Sequence, residues 1–438
     1  MPLHAGVPQG SVLGPLLFLV YINDLTDDIT SDMRLFADDS SLFACVTDVT
    51  QTHDRLVSDL ESISNWAYQW KMVFNPDITK QAIGVIFSCK DKKPDHPDLS
   101  FNGVPVARKA FTKHLGVFLD SRLNFSKHIK EKVAVATKGL SLLKFLSSFV
   151  DRNVLSISYK MYIRPHLDYG DILYHNQRAD LMDLIERIQY KAALIVTGCW
   201  QGTSRIKLYE ELGWESLADR RWLRRLTVYY KISNGLTPSY LSDHIPKRSD
   251  INMVLRNRDD IAPLTRTIRY ENSFFPYTIK AWNNLDEEAK LKPSVETFKK
   301  YILQNYIRTP GYSTFGISDR HGIKLLTKIR VGFSDLRDHR FSHNFNCTTP
   351  VCNCALDEET TSHYLLHCPL FSLQRIPFLS RISEVINSDV SILPDDHLTR
   401  ILLYGSNVFN SICNKLIVSE SIRFIRNSGR FTQLEAYI

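Results

Sequence analysis

Three groups of side chains in this sequence have types and spacings that can do chemistry. The first is Asp38-Asp39, flanked by Met33-Arg34-Leu35-Phe36-Ala37 and Ser40-Ser41-Leu42-Phe43. Neighbouring side chains of a plain strand point to opposite faces, so a strand–turn–strand arrangement is needed to present both carboxylates to one site. Carboxylates on rigid elements can hold hard cations, and Mg²⁺ is typically held by one or two of them plus substrate phosphates. Alone, such a doublet is ordinary turn chemistry. The second group is Cys352, Cys354, His363 and Cys368, whose three thiolates and imidazole can close a tetrahedral Zn²⁺ shell. Its first gap, one residue, is tighter than the usual two to four, and Cys347 and His367 are spare candidates. The third is Arg220, Arg221, Arg224 and Arg225, clustered on one helical face beside Trp222. Such a face suits phosphate contacts, and a solvated helix surface explains it about as well.

The elements that must carry these groups follow from periodicity. A Gly/Pro-rich loop, Gly6-Val7-Pro8-Gln9-Gly10, precedes a helix expected over 16–23. Leu56, Leu60, Ile63, Ala67 and Trp70 recur at spacings of four and three, predicting an amphipathic helix over 51–72 with an apolar, aromatic stripe in the core. Residues 82–88 read as a strand, and 101–119 as a hairpin-like pair with Asn102-Gly103 at a turn. From Ser126 the pattern turns helical, with Ile129, Val133, Ala136, Leu140 and Leu143 on one stripe. Further helices are expected over 152–163, 179–197, 204–212 and 217–234, with Ser216 as the N-cap residue and Asp219 three residues on. Residues 245–293, with Pro246, Pro263, Pro276 and Pro293, read as a loop-rich linker.

The 438 residues, 44% hydrophobic, are enough for several buried cores. The apolar run Val12–Ile22 is too short for a bilayer and lacks the basic flank of a signal peptide, so no membrane partner is expected. Residues 1–100 carry a net charge of −7 and the remainder +14, an acidic head on a basic body that fits a metal site joined to a polyanion-binding surface. Four scattered cysteines and one cluster read as a reducing compartment with a metal site, hence an intracellular chain, nuclear or cytoplasmic.

The Gly-Val-Pro-Gln-Gly loop, followed by Phe36-Ala37-Asp38-Asp39, resembles the reverse transcriptases of non-LTR retrotransposons, particularly the jockey and CR1-like groups. The resemblance continues through Trp66-Ala67-Tyr68-Gln69-Trp70 with Phe74-Asn75-Pro76, and through Lys113-His114-Leu115-Gly116-Val117 with Leu123 and His128. Downstream, Arg164-Pro165-His166-Leu167-Asp168-Tyr169-Gly170 and the cysteine cluster resemble the family too, so that it covers nearly all of 5–430. It implies an α+β chain: a partial polymerase palm (1–125) with an antiparallel sheet and packed helices, a helical, basic thumb (126–244), a linker with helices (245–340), and a zinc knuckle with a helical tail (341–438).

The resemblance also implies roles. Asp38 would ligate Mg²⁺ directly with Asp39 in support, in a two-metal site adding deoxynucleotides to a DNA 3′ end. Gly6, Pro8, Gln9 and Gly10 would line the template base and nucleotide, and Leu115 and Gly116 would lie under the primer end, with a buried hairpin as the rival reading. The position two after Pro76, where the family carries a general-acid lysine, is Ile78, and the next lysine is Lys80, a surface residue on the simpler reading. The implied partners are an RNA template, a DNA primer and deoxynucleoside triphosphates. A further Asp, the fingers and an endonuclease would lie upstream of Met1, so the chain is expected to be truncated and inactive alone. The other class of reading is a non-enzymatic RNA- or DNA-binding remnant using the thumb and knuckle.

Overall fold

The computed structural model describes residues 10–75, 82–88, 95–175, 178–246, 260–307, 312, 314 and 316–431. The chain divides into two compact units, 1–128 and 129–438.

Unit 1 begins with α1 (Gly14–Ile22), which has Pro15 in its first turn, where a missing N–H costs nothing. β1 (Asp32–Phe36) and β2 (Asp39–Phe43) pair antiparallel, Phe36 opposite Asp39 and Met33 opposite Leu42. α2 (Val49–Gln69) starts at Asp48, whose side chain accepts from Gln51 N at 2.8 Å. Its inner face carries Ile63 and Ala67, and Ile63 meets Ile22, Leu25, Met33 and Phe101 in a small core. Trp66 packs against that core. Trp70, expected in the buried stripe, is the residue after the last turn and is 41% exposed.

The remaining strands are short: β3 (Ile83–Gly84), β4 (Ser100–Phe101), β5 (Val104–Pro105), β6 (Ala107–Arg108), β7 (Phe111–His114) and β8 (Val117–Asp120). The α+β class holds. Among the described residues, four separate two-stranded ladders stand in place of one antiparallel palm sheet, and β3–β6 is parallel. The strand expected over 82–88 shrinks to two residues, since Gly84 offers a sheet no side chain to pack.

Unit 2 is helical. α3 (Ser126–Leu146) buries Ile129, Ala136, Leu140 and Leu143 along the expected stripe. Gly139 lets a neighbouring segment come close, because a Cβ there would lie 2.8 Å from Ile163 Cγ1. α4 (Arg152–Ser158) passes through a wide π turn at Tyr159–Ile163 into α5 (Arg164–Asp168). α6 (Ala179–Thr197) and α7 (Arg205–Leu212) end at Gly198 and Gly213, both left-handed, and α8 (Leu217–Ser233) is capped by Ser216, which accepts from Asp219 N.

Of the stretch 245–293, expected to be a loop-rich linker, the described residues from 268 onward are largely packed helix instead. Pro276 sits in the first turn of a helix, Phe274–Asn283, where proline is tolerated, and Pro293 stands just before the Ser294 cap of another, Val295–Asn305. These helices pack Ile279, Trp282 and Phe298 against Leu226, Tyr229 and Tyr230 of α8. A second core gathers Ile323, Ile329, Tyr364, Phe378, Leu402, Ile417 and Phe424. Unit 2 also holds a buried ion cluster: Glu211 Oε1 accepts from Arg152 Nη1 (2.7 Å) and Arg330 Nη1 (3.0 Å), tying α4, α7 and the helix Arg320–Arg330 together.

Candidate functional site

The acidic hairpin is closed by a two-residue loop, Ala37-Asp38, with Asp39 the first residue of β2. Ala37 has φ 51°, a left-handed conformation that costs a non-glycine residue on the order of 1–2 kcal/mol. Both carboxylates are exposed. Among the described residues no third metal-ligating side chain joins them.

The hairpin is positioned from below by a side chain that motif reading missed. Asp59 on α2 is 1% exposed, and it accepts from Thr30 N (2.8 Å), Thr30 Oγ1 (3.0 Å) and Ser31 N (3.0 Å), fixing the chain as it enters β1. Burial pushes its carboxyl up, and the hydrogen bonds from Thr30 and Ser31 outweigh that and hold it below the usual carboxylate range. The only signal in the sequence is an Asp on the apolar side of an amphipathic helix.

Leu115 and Gly116 form the loop joining β7 to β8, with φ 44° and 79°, the pattern of a tight type I′ hairpin. Leu115 is 36% exposed, so this tip is not a buried one. His114, just before it, places Nδ1 3.4 Å from Ser41 Oγ of β2, linking the two hairpins. His128 is buried, and its Nδ1 accepts from Phe118 N at 3.4 Å. Gly10 is exposed at φ 82° with open space where a side chain would stand. Gly6, Pro8, Gln9 and Lys80 lie outside the described residues.

The arginine face needs correction. Arg221 and Arg225 are 4% and 1% exposed, and Arg225 lies over the rings of Phe274 and Tyr277 at 5.3 and 5.2 Å. Arg220 and Arg224 are spent on Asp168 (3.0 and 2.5 Å), Glu215 and Asp171. These four residues are not an exposed phosphate-binding stripe. Their helix packs on both sides, so cations spaced for one face were drawn into internal pairs and stacks.

The cysteine group comes together as its spacing suggested. The ligand atoms of Cys352, Cys354, His363 and Cys368 all lie within 4.8 Å of one another. Cys352 Sγ is 3.5 Å from Cys368 Sγ, and Cys354 Sγ is 3.3 Å from His363 Nε2. A tetrahedron with Zn–S near 2.3 Å and Zn–N near 2.0 Å requires ligand separations of about 3.5–3.8 Å, so the set fits a metal with little movement.

Local structure explains the unusual one-residue gap. Cys352 N donates to Asp357 O, and Ala355, at φ 61°, donates back to Cys352 O, folding 352–357 into a tight loop. His363 and Cys368 are five apart on a π turn (His363–His367), and Cys368 N donates to His363 O at 2.7 Å. Buried Arg375 clasps this turn by donating to the carbonyls of Leu365, Tyr364 and Cys368. Burial pushes the Cys352 thiol up to about 12 and the Cys368 thiol up as well. The Leu356 N–H beside Cys354 holds that thiol below its ordinary value, and burial favours neutral His363, the ligand form. The spare candidates are elsewhere: Cys347 donates to Thr349 O, and His367 pairs with Asp395 at 2.6 Å.

This geometry stands in a known context. Residues 1–131, which contain the acidic hairpin, match the family model described as reverse transcriptase (RNA-dependent DNA polymerase). The matches extend beyond that segment to particular relatives. The chain is 30% identical over 285 residues to a probable RNA-directed DNA polymerase from transposon X-element of Drosophila melanogaster, covering 60% of this chain and 30% of that protein. It is 26% identical over 271 residues to the RNA-directed DNA polymerase from mobile element jockey of the same organism, covering 59% and 28%. A Pol polyprotein from the type-1 retrotransposable element R1 of Bradysia coprophila is 22% identical over 380 residues, covering 84% of this chain and 34% of that protein. The chain is thus similar, over these stretches, to RNA-directed DNA polymerases of jockey-like non-LTR retrotransposons. It spans about 30% of the length of the first two relatives. No solved structure matches it. Among the described residues, no helix is long and apolar enough to cross a membrane.

Proposed function

We propose that this chain supplies the metal-binding turn and the primer-end hairpin of an RNA-directed DNA polymerase, which copies an RNA template onto a DNA 3′ end from deoxynucleoside triphosphates. The observation that carries the reading is the Asp38-Asp39 loop, exposed at a hairpin tip within the segment matched by the reverse-transcriptase family. Bound Mg²⁺ would activate the attacking 3′-hydroxyl and neutralise charge on the leaving phosphates. The chain's own part is positional. Asp38 and Asp39 offer carboxylate oxygens at a fixed tip, Asp59 holds the strand that carries them, and the Leu115-Gly116 loop, linked through His114 to Ser41, presents backbone to the primer end. The test is RNA-templated primer extension with Mg²⁺ by an element polymerase carrying these residues. Asp38→Ala should lower extension on the order of 10²-fold or more, the loss that misplacing reacting groups by about 1 Å brings. Undiminished extension contradicts the assignment.

The same polypeptide holds a structural zinc ion on Cys352, Cys354, His363 and Cys368. The near-tetrahedral separations of those four ligand atoms support this reading, and metal analysis of the reduced protein tests it. The partial palm, thumb and knuckle remain the proposed domain assignment.

A further inference from the structure

The helix Arg337–Ser342 and the residues after it hold two rings at the surface of unit 2. Asn344, at φ 55°, closes the helix in the left-handed conformation, and Phe345 N donates back to Arg340 O at 2.9 Å. Phe345 stays 39% exposed, and His343 is exposed too. Both rest on buried Phe333, His343 at 4.5 Å between centroids and 61° between planes, Phe345 at 5.1 Å and 80°. The two centroids are 6.3 Å apart, and no described ring stacks parallel on either. Rings held in this way have little ordering left to undergo when a flat partner arrives.

Cations stand beside these rings. Lys207 of α7 is exposed and forms no ion pair with a described residue, Glu210 on its own helix included. A Cβ on Gly332 would lie 3.2 Å from Lys207 Nζ, which sets the ammonium against the turn whose carbonyl accepts from His343 Nε2 at 3.1 Å. Arg340, whose carbonyl holds Phe345, is half-buried and likewise forms no ion pair with a described residue. The acids here are outnumbered: residues 320–346 hold six Lys/Arg against two Asp. One of the two, Asp335, faces Lys328, Arg340 and Arg430 but is only 7% exposed, and the other, Asp338, is half-exposed. Glu359 is taken by Arg430 at 2.6 Å. The surface therefore keeps a positive excess next to its exposed rings.

Cations alone would suit any polyanion, but an acidic peptide or an anionic lipid surface brings no flat faces for the rings. A nucleic-acid strand brings both parts, phosphates for the cations and, where it is unpaired, bases that stack on aromatic side chains. We propose that Lys207, Arg340, His343 and Phe345 form a docking surface for single-stranded nucleic acid, RNA or DNA, with bases against the two rings and the flanking phosphates on Lys207 and Arg340. The surface belongs to unit 2 and does not depend on the polymerase reading of the acidic hairpin.

The experiment pairs photocross-linking of the full chain to short RNA and DNA strands carrying 5-iodouracil, mapped by peptide, with fluorescence-anisotropy titrations at several salt concentrations. Cross-links to both strands are expected within 340–346, and their absence there in the unsubstituted chain overturns the proposal. Phe345→Leu, which keeps an apolar contact with Phe333 but removes the ring face, should weaken binding about 5-fold or more, and Phe345→Trp should preserve it. Lys207→Gln and Arg340→Gln should each reduce the slope of log affinity against log salt by about 0.7, while Lys299→Gln, an exposed control on the helix Val295–Asn305, should leave it unchanged. Unaltered affinity in Phe345→Leu, or an unaltered salt slope in both Lys207→Gln and Arg340→Gln, overturns the surface. So does equal competition by a duplex of the same sequence, whose bases are not free to stack, or by polyglutamate of equal charge.

Discussion

The acidic hairpin of unit 1 and the cysteine–histidine group of unit 2 are both built from tight loops, yet they are finished to different degrees. At the hairpin tip, two exposed carboxylates stand on a strained residue, and no third ligand joins them among the described residues. In unit 2, four ligand atoms already lie at nearly the separations of a tetrahedron, with two of the thiols buried and a clasping arginine behind them. A site that must exchange substrate leaves positions open for it, whereas a site that holds a fold together is closed by its own chain. On the proposed reading the difference places stability in unit 2 and chemistry in unit 1, and it can be broken in several ways.

The largest expected effect is at the closed site. Chelation, or Cys354→Ser, should unfold the core that includes Tyr364 and Phe371, seen as lost hydrogen-exchange protection over 345–375, because structural zinc binding is itself folding free energy. Protection unchanged by chelation would make the cysteines merely reduced core residues. Next is Glu211→Ala, which strands Arg330 and Arg152 in the interior and should cost about 3–5 kcal/mol in denaturant unfolding of unit 2.

An acid titration comes third. The unfolded pKa of His175 is near 6.5 and its folded pKa about 3, so the stability linked to its neutral form is complete above pH 6.5 and is lost as pH falls towards 3. Each unit of that interval is worth about 1.4 kcal/mol. His175→Phe, which keeps the stacking on Tyr277, should flatten unit 2 stability between pH 6 and 4, and an unaltered slope would show that the imidazole is not held neutral.

Unit 1 should answer more weakly. Asp59→Asn should cost about 1–3 kcal/mol, and should lower primer extension through misplacement of the hairpin while leaving zinc content unchanged. Ala37→Gly should relieve the positive-φ strain and raise stability by about 1 kcal/mol, checked by the denaturant midpoint.

What could be read from the sequence follows from how local each determinant is. The cysteine group lies within a short stretch whose loops need no other contact to close, so its ligands could be named. The helix ends at Gly198, Gly213 and Ser216 are equally local, each resting on one left-handed glycine or one capping hydroxyl. The arginine face misled because the charge pattern of α8 is the same whether the helix meets solvent or Asp168, Asp171 and Tyr277, residues about fifty positions away on either side. The described part of the 245–293 stretch misled for a related reason: Pro276 and Pro293 sit in and just ahead of helix starts. Asp59 and His175 were invisible to motif reading, since only burial sets them apart from ordinary polar residues.

The contrast between the two sites is tested most directly by metal content. The reduced chain would be exposed to Zn²⁺ and to Mn²⁺ as a stand-in for Mg²⁺, dialysed without nucleotide or primer, and analysed for both metals. The account predicts about one Zn²⁺ per chain, lost in Cys354→Ser, and no retained Mn²⁺. A chain without zinc, or one that retains Mn²⁺ and loses it in Asp38→Ala, would contradict the assignment of a closed site to unit 2 and an open, substrate-completed one to unit 1.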